Sequence, residues 1–349
     1  MSDAETLERL RHIGWRGDVL PVRPLARVVA QHRAGYALHD GNAEFGAQPA
    51  GQFLKRGIDP ATRPVVGDFV EYEPGHPAHI LTVLPRRTVL SRAAAGERYL
   101  RQVIATNIDY VLVLTGLDGD YSAARIERYL SLIEGSGAQP VVLLSKPDLN
   151  ADATERVAEL RTRLVPGTPI HAINGKDAAS VTALAPYLKL GDSAVLVGSS
   201  GAGKSTLTNT LLGIDKMATG AVRHHDSRGR HTTTHRALLC LPSGGCLIDT
   251  PGMRELKLTG EEDLDLFADI EELATACRFA DCGHGSEPGC AVQAALVSGE
   301  LAPERWRNYL KLRDEREEQA ATLEAKLRRQ RGGRPVERPF VTRSARERE

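Results

Sequence analysis

Residues 193–212 read SAVLVGSSGAGKSTLTNTLL, an apolar run at Ser193–Val197 that passes straight into a glycine-rich turn and a helical segment expected over Lys204–Leu212. The turn, Gly198-Ser199-Ser200-Gly201-Ala202-Gly203-Lys204-Ser205, matches GxxxxGK[ST], and its setting between a strand and a helix is the one that pattern requires. Glycines at these positions let backbone N–H groups turn inward around phosphate oxygens, and the helix N-terminus adds positive potential. Lys204 would reach the β and γ phosphates and Ser205 would ligate Mg²⁺, so Gly198 to Thr206 are the expected phosphate contacts. A parallel α/β sheet around this loop is expected from the βαβ rhythm of the segments upstream of it.

Downstream, Asp249-Thr250-Pro251-Gly252 follows the apolar strand Cys246–Ile248. An aspartate there can hold a magnesium water, and the Gly252 N–H can sense a γ-phosphate. Between the two motifs, Arg223–Arg236 is rich in His, Arg and Thr. One of Thr232, Thr233 and Thr234 could cap Mg²⁺ when a triphosphate is bound and release it afterwards. Met253 stands where many GTPases carry a water-positioning glutamine, and a thioether cannot orient water. Lys204 is one candidate catalytic residue, and His231 is a second, standing in for the missing glutamine.

Upstream, the segments YVLVLTG, Ala123–Glu134, PVVLLSK, Ala153–Leu164 and TPIHAI alternate buried strands with amphipathic helices. At the end of one strand, Ser145-Lys146-Pro147-Asp148 has the form of the [NT]KxD motif that reads guanine: a carboxylate at Asp148 accepts from the base N1 and N2 donors. Ile170–Asn174 ends the next strand, where a backbone N–H can meet guanine O6. Ordinary GTPases carry these motifs after the phosphate loop; here they precede it, so the order is circularly permuted. Such rejoining is tolerated because the packed core is unchanged.

Five short alternating segments, Leu25–Gln31, Tyr36–His39, Phe53–Lys55, Asp68–Tyr72 and Ile80–Leu84, predict a small barrel of oligonucleotide-binding (OB) type over residues 22–92, after an N-terminal extension at 1–21. The permuted nucleotide domain occupies 93–258. Residues 259–325 are read as a metal-binding segment and helix, and 326–349 as a flexible basic tail with nine Lys or Arg against three Glu. Cys277-x4-Cys282-x-His284-x5-Cys290 supplies three thiols and an imidazole within fourteen residues, the donor set of a closed, structural Zn²⁺ site. Cys240 and Cys246 are read as inert core residues. The 349 residues carry 45 Lys plus Arg and 45 Asp plus Glu, so overall charge says nothing about partners. Neither a run of about 18 apolar residues nor a secretory leader is present, and a cytoplasmic protein without a membrane partner is expected.

Together these motifs, in this order and between a barrel and a Cys/His segment, resemble the ribosome small-subunit-dependent GTPase A family, over about Val22–Leu310. The resemblance implies a GTPase stimulated by the small (30S) ribosomal subunit, acting late in its maturation through 16S rRNA, with GTP and GDP as ligands. It carries phosphate contact to Gly198–Thr206, base reading to Ser145–Asp148 and zinc to Cys277, Cys282, His284 and Cys290. A monomer is the expected state. Ser145 replaces the usual asparagine, and a serine cannot make the same amide contacts, which predicts weaker guanine affinity. Two alternatives stand beside this one. A non-enzymatic RNA-binding protein could hold GTP as a structural ligand, or an ATPase could leave Asp148 without a role.

Overall fold

The computed structural model describes residues 3–32, 34–55, 58–93, 101–118, 121–199, 201–214, 236–250 and 265–330. A short helix, α1 (Asp3–Arg11), leads into the barrel strands β1 (Leu25–His32), β2 (Gly35–His39), β3 (Glu44–Pro49), β4 (Phe69–Glu73) and β5 (Ala78–Val83). Their order is β1-β2-β3-β5-β4, and β4 pairs back onto β1 at Leu25↔Glu71 and Arg27↔Phe69, so the sheet closes on itself. The parallel β3–β5 pair makes it a Greek-key barrel of OB type rather than a meander. Alternate residues Ala26, Val28, Leu38, Val70 and Ile80 fill its interior. One strand differs from the sequence reading. Phe53–Lys55 is not a strand: Gly51–Leu54 form a 3-10 turn, and the third strand is Glu44–Pro49. Phe53 is apolar because it plugs the barrel from that turn, while EFGAQP hides its strand behind a glycine and a proline.

A hairpin of β6 (Val89–Ala93) and β7 (Arg101–Thr106) joins the barrel to the nucleotide domain. There follow β8 (Tyr110–Gly116), α2 (Ala123–Ile133), β9 (Gln139–Ser145), α3 (Ala153–Arg163), β10 (Ile170–Ile173), α4 (Ala178–Val181), β11 (Ser193–Gly198), α5 (Lys204–Leu212), β12 (Ala237–Cys240) and β13 (Cys246–Asp249). The sheet order is β10-β9-β8-β11-β13-β12, parallel except for β12. Strands β8, β9 and β11 are apolar on both faces because helices cover both faces, as parallel sheets require. Helix α2 shows the local logic. Ser122 caps it by accepting from Arg125 N–H at 3.3 Å, and Ala123, Ile126, Tyr129, Leu130 and Ile133 recur at helical spacing along its buried stripe.

The C-terminal module holds α6 (Ala268–Thr275), α7 (Ala291–Ser298) and α8 (Pro303–Gln330). Helix α8 therefore continues five residues into the stretch read as a flexible tail. Val292, Ala295, Leu301, Trp306 and Leu312 pack with Phe267 and Ile270 into the same core that lies under α2.

Two buried polar groups join the parts. Arg27 on β1 is fully buried and donates to Ile13 O at 2.6 Å, Gly67 O at 3.1 Å, Asn107 O at 2.9 Å and Ser193 Oγ at 2.7 Å. Its contacts span the N-terminal segment, the barrel and the root of β11. Burial lowers its pKa, opposed by the nearby Cys246 and Asp109. Glu127 on α2, also fully buried, accepts from Arg163 of α3 and Arg305 of α8, each at 3.0 Å. Among the described residues, no helix is long and apolar enough to cross a membrane.

Candidate functional site

The candidate site lies where the sheet's carboxyl ends converge around β11. Every residue of β11 is buried, and the chain leaves it at Gly198 with φ +149. A Cβ there would stand 2.1 Å from Leu114 O of β8, so only glycine lets the loop begin so close to the neighbouring strand. Gly203, at φ +99, then turns the chain into α5, whose first residue is Lys204. Gly213 ends that helix, its N–H reaching Asn209 O and Thr210 O.

Lys204 is buried, and its ammonium donates to Gly198 O and Ser199 O, both at 2.7 Å. The ammonium thus spans the mouth of the loop beneath which phosphates would sit. Ser205 is exposed at the helix N-terminus, Ala202 is buried, and Thr206 is partly buried. Beside β11, β13 pairs in parallel with Leu196↔Asp249, which brings Asp249 level with the start of the loop. Burial pushes the Asp249 carboxyl up from the ordinary aspartate value, opposed by the Lys204 charge. Thr250 Oγ1 donates to Leu196 O at 2.7 Å and fastens this corner.

The base-reading candidates arrive from β9. Ser145 is buried at the strand end, and its hydroxyl donates to Ala202 O at 2.6 Å, with Thr115 O at 3.5 Å. The serine therefore ties the KxD turn directly to the phosphate loop. Lys146 adopts a left-handed conformation, φ +57, and its ammonium lies 2.8 Å from Gly201 O and 2.5 Å from Asp118 Oδ2. Pro147–Leu149 form a 3-10 turn that leaves Asp148 exposed above the loop. From β10, Asn174 N–H is held by Ser180 Oγ at 2.8 Å, and Thr210 of α5 donates to Gly175 O at 2.6 Å. Thus β9, β10 and β11 bring the phosphate loop and the base-side turns together although 50 or so residues separate them. Asp118 was not singled out from the sequence. The signal was available: it follows the buried strand YVLVLTG, and strand carboxyl ends are where such sheets bind ligands. Ser200, His231, Thr232, Thr233, Thr234, Gly252 and Met253 lie outside the described residues.

The second cluster is remote in sequence. Cys277, Cys282, His284 and Cys290 place their ligand atoms within 4.8 Å of one another. Cys277 Sγ stands 3.8 Å from Cys290 Sγ and 3.5 Å from His284 Nδ1. A tetrahedral ion with Zn–S bonds of about 2.3 Å sets its sulfurs about 3.8 Å apart, so Cys277 and Cys290 stand at zinc-site spacing and the donor set of all four residues is compatible with zinc. Outer contacts orient them. Gln293 donates to His284 O at 2.6 Å, Trp306 meets the imidazole edge-on, and Glu287 accepts from Gly283 and Gly285 N–H. A hydrogen bond from its own N–H, with those from Gly285 and Gly283, lowers the Glu287 pKa.

A lysine-bearing glycine loop at the centre of a parallel sheet, a KxD turn earlier in sequence but two strands away in space, and an aspartate alongside define a circularly permuted P-loop GTPase. An OB-type barrel precedes it and a Cys/His module follows. Residues 83–259 match the model of the RsgA GTPase family. The chain belongs to that family. Over 293 residues, 83% of this chain and 80% of the relative, it is 57% identical to the small ribosomal subunit biogenesis GTPase RsgA of Xanthomonas axonopodis pv. citri. The RsgA of Xanthomonas campestris pv. campestris is 55% identical over the same shares. Among solved structures, YjeQ from Thermotoga maritima superposes with TM-score 0.60 at 28% identity, covering 85% of this chain and 99% of that one. The circularly permuted GTPase YloQ gives 0.56 at 25%, with 87% and 98% covered. This chain is a GTPase.

Proposed function

We propose that this GTPase acts in late maturation of the small ribosomal subunit, in the cytoplasm, as a monomer that binds 16S rRNA and hydrolyses GTP when the subunit is bound. The observation that carries the reading is the 57% identity, across 293 residues that include every nucleotide and Cys/His motif, to relatives named for small-subunit biogenesis.

At the site, backbone N–H groups of Gly198–Thr206 receive the phosphates. On nucleotide entry the Lys204 ammonium exchanges its carbonyl partners for β and γ oxygens, which needs little movement because it already spans the loop. Mg²⁺, entering with the nucleotide, supplies charge neutralisation at the β and γ phosphates. Ser205 would ligate it, and Asp249 would hold one of its waters. The raised carboxyl of Asp249 suits such a residue, since a buried acid gains most from a cation. Gly252 N–H would sense the γ-phosphate, Asp148 would read the base, and Ser145 and Lys146 would hold that turn against the phosphate loop. His231 is the candidate for positioning water. Cys277, Cys282, His284 and Cys290 would hold one structural Zn²⁺, keeping the segment before α7 folded against α8. The barrel and the basic C-terminal residues would meet rRNA phosphates.

Steady-state phosphate release against purified small-subunit concentration, at low and high salt, tests the reading. Slow basal hydrolysis, strong stimulation and loss of binding at high salt are expected, because phosphate contacts release counterions. Stimulation that fails despite demonstrated binding would refute coupling. His231→Ala with intact stimulation would exclude the histidine.

A further inference from the structure

The β12–β13 hairpin carries two thiols with no part in the nucleotide chemistry. Cys240 ends β12, Cys246 opens β13, and they are direct partners in the antiparallel ladder. One step toward the turn, Leu241 N–H donates to Gly245 O at 2.8 Å, so that rung is hydrogen-bonded and the cysteine rung lies between hydrogen bonds. Cys246 N–H accordingly points outward, to Asp192 O at 2.8 Å. In a non-hydrogen-bonded antiparallel pair the Cα atoms stand about 4.5 Å apart with side chains close on one face. A disulfide accepts Cα separations of about 4.4–6.8 Å, so this rung can be bridged with little backbone movement.

The two sulfurs differ in environment. Cys240 is exposed, against the sequence reading of an inert core thiol; among the described residues β12 pairs with β1 at Ala30↔Ala237 alone. Cys246 is buried, with its sulfur 3.4 Å from His12 O. Hydrogen bonds from Cys240, Arg27 and Ser193, together with the Arg27 charge, outweigh burial and bring the Cys246 thiol down to about 7. Cys240, which supplies the shared proton, is pushed up. A pair that shares a proton gives up its first proton more readily than an isolated thiol, and the thiolate is the reactive form.

We infer that Cys240 and Cys246 form an oxidisable dithiol that peroxide converts into a cross-strand disulfide, stapling the hairpin that carries Asp249. The Cys246 thiolate takes the shared proton from Cys240 as the exposed Cys240 sulfur attacks hydrogen peroxide. The O–O bond breaks, the sulfenic acid of Cys240 forms, and hydroxide departs. Cys246 then attacks the sulfenic sulfur; the S–S bond forms as S–O breaks, and the leaving oxygen takes the Cys246 proton and departs as water. The two sulfurs lose two electrons and the peroxide gains them. In reducing compartments such bonds are transient and act as sensors, which suits a staple next to a nucleotide site.

The test treats the full chain, as purified, with graded hydrogen peroxide. Thiols are blocked by alkylation under denaturing conditions, and unreduced peptides are mapped by mass spectrometry. A peptide linked through Cys240 and Cys246 is expected at doses that leave Cys277, Cys282 and Cys290 alkylatable, and it should vanish on reduction. Cys246→Ser should stop the link and leave a Cys240 sulfenic acid that dimedone traps. Cys240→Ser, at an exposed position that cannot disturb packing, should stop the link with no trapped species at Cys246. Alkylation of both residues at doses that already consume the other three thiols would overturn the inference. So would a link from Cys240 to any of those three.

Discussion

Replacing Glu127 by Leu should loosen the joint between the nucleotide domain and the Cys/His module. Its carboxylate is fully buried and accepts from Arg163 Nε and Arg305 Nη1 at 3.0 Å and from the Asn308 amide. The two arginines fare differently without it. Arg305 keeps Asp269, at 2.8 and 3.1 Å, and Leu266 O at 3.0 Å. Among the described residues, Arg163 keeps only a carboxylate oxygen of Glu159 at 3.9 Å as an ionic partner, with its own side chain just 12% exposed. Breaking a buried ion pair by removing one partner costs about 3–5 kcal/mol, most of it the penalty on the stranded charge. Because one of two arginines is stranded, the lower end, about 3 kcal/mol, is the expected loss. That corresponds to about a hundredfold more frequent opening, since about 1.4 kcal/mol is a factor of ten. Amide hydrogen exchange resolves it, because a multidomain chain has no single unfolding free energy. Exchange across Trp306–Leu312 should accelerate by about two orders of magnitude while the barrel interior, Ala26–Ala30, is unchanged. Glu127→Gln should lie between, and Arg305→Met combined with Glu127→Leu should cost less than the two changes added. Acceleration below about threefold, or equal acceleration in the barrel, would show that Glu127 does not join the domains.

Lys204→Ala should abolish hydrolysis with the barrel and Cys/His module still folded, because the ammonium contacts loop carbonyls and no apolar core; phosphate release at wild-type rate would contradict this. Asp148→Asn should erode the preference for GTP over ATP by up to about 10⁴-fold, read by nucleotide competition, since a site that recognises polar groups loses most when they go unpaired. Asp249→Asn should separate stability from activity. The folded pKa of Asp249 is raised above its unfolded value, so its charged form opposes folding increasingly as pH rises through that range and fully above it. The amide should therefore raise the melting temperature of nucleotide-free protein at neutral pH, with little change at pH below the aspartate range, while hydrolysis is lost; a lowered melting temperature at neutral pH would contradict the sign. Elemental analysis should find one zinc per chain, and Cys282→Ser should release it and open the Cys277–Cys290 segment locally, as metal binding is worth about 10–16 kcal/mol in zinc-finger peptides.

Motifs whose partners lie within one turn of chain were legible in the sequence. The strand-loop-helix at Ser193–Leu212, the KxD turn, the permuted order and the fourteen-residue Cys/His cluster each depend on backbone conformation and spacing that neighbouring residues impose. The strand at Cys246 and the helices at Ala123 and Ala153 showed in apolar periodicity alone. Tertiary structure decided what depends on residues far apart in sequence. Pairing with β2 on one side and β5 on the other made Glu44–Pro49 a strand despite its glycine and proline, and left Phe53 to plug the barrel from a turn. Arg27 and Glu127 look like surface charges on any pattern, yet both are buried because carbonyls and arginines from distant segments converge on them. Ser145 looked like a weakened base reader. Only the approach of β9 to the phosphate loop gave its hydroxyl the Ala202 carbonyl at 2.6 Å, a contact set by sheet order and not by any local preference of the chain.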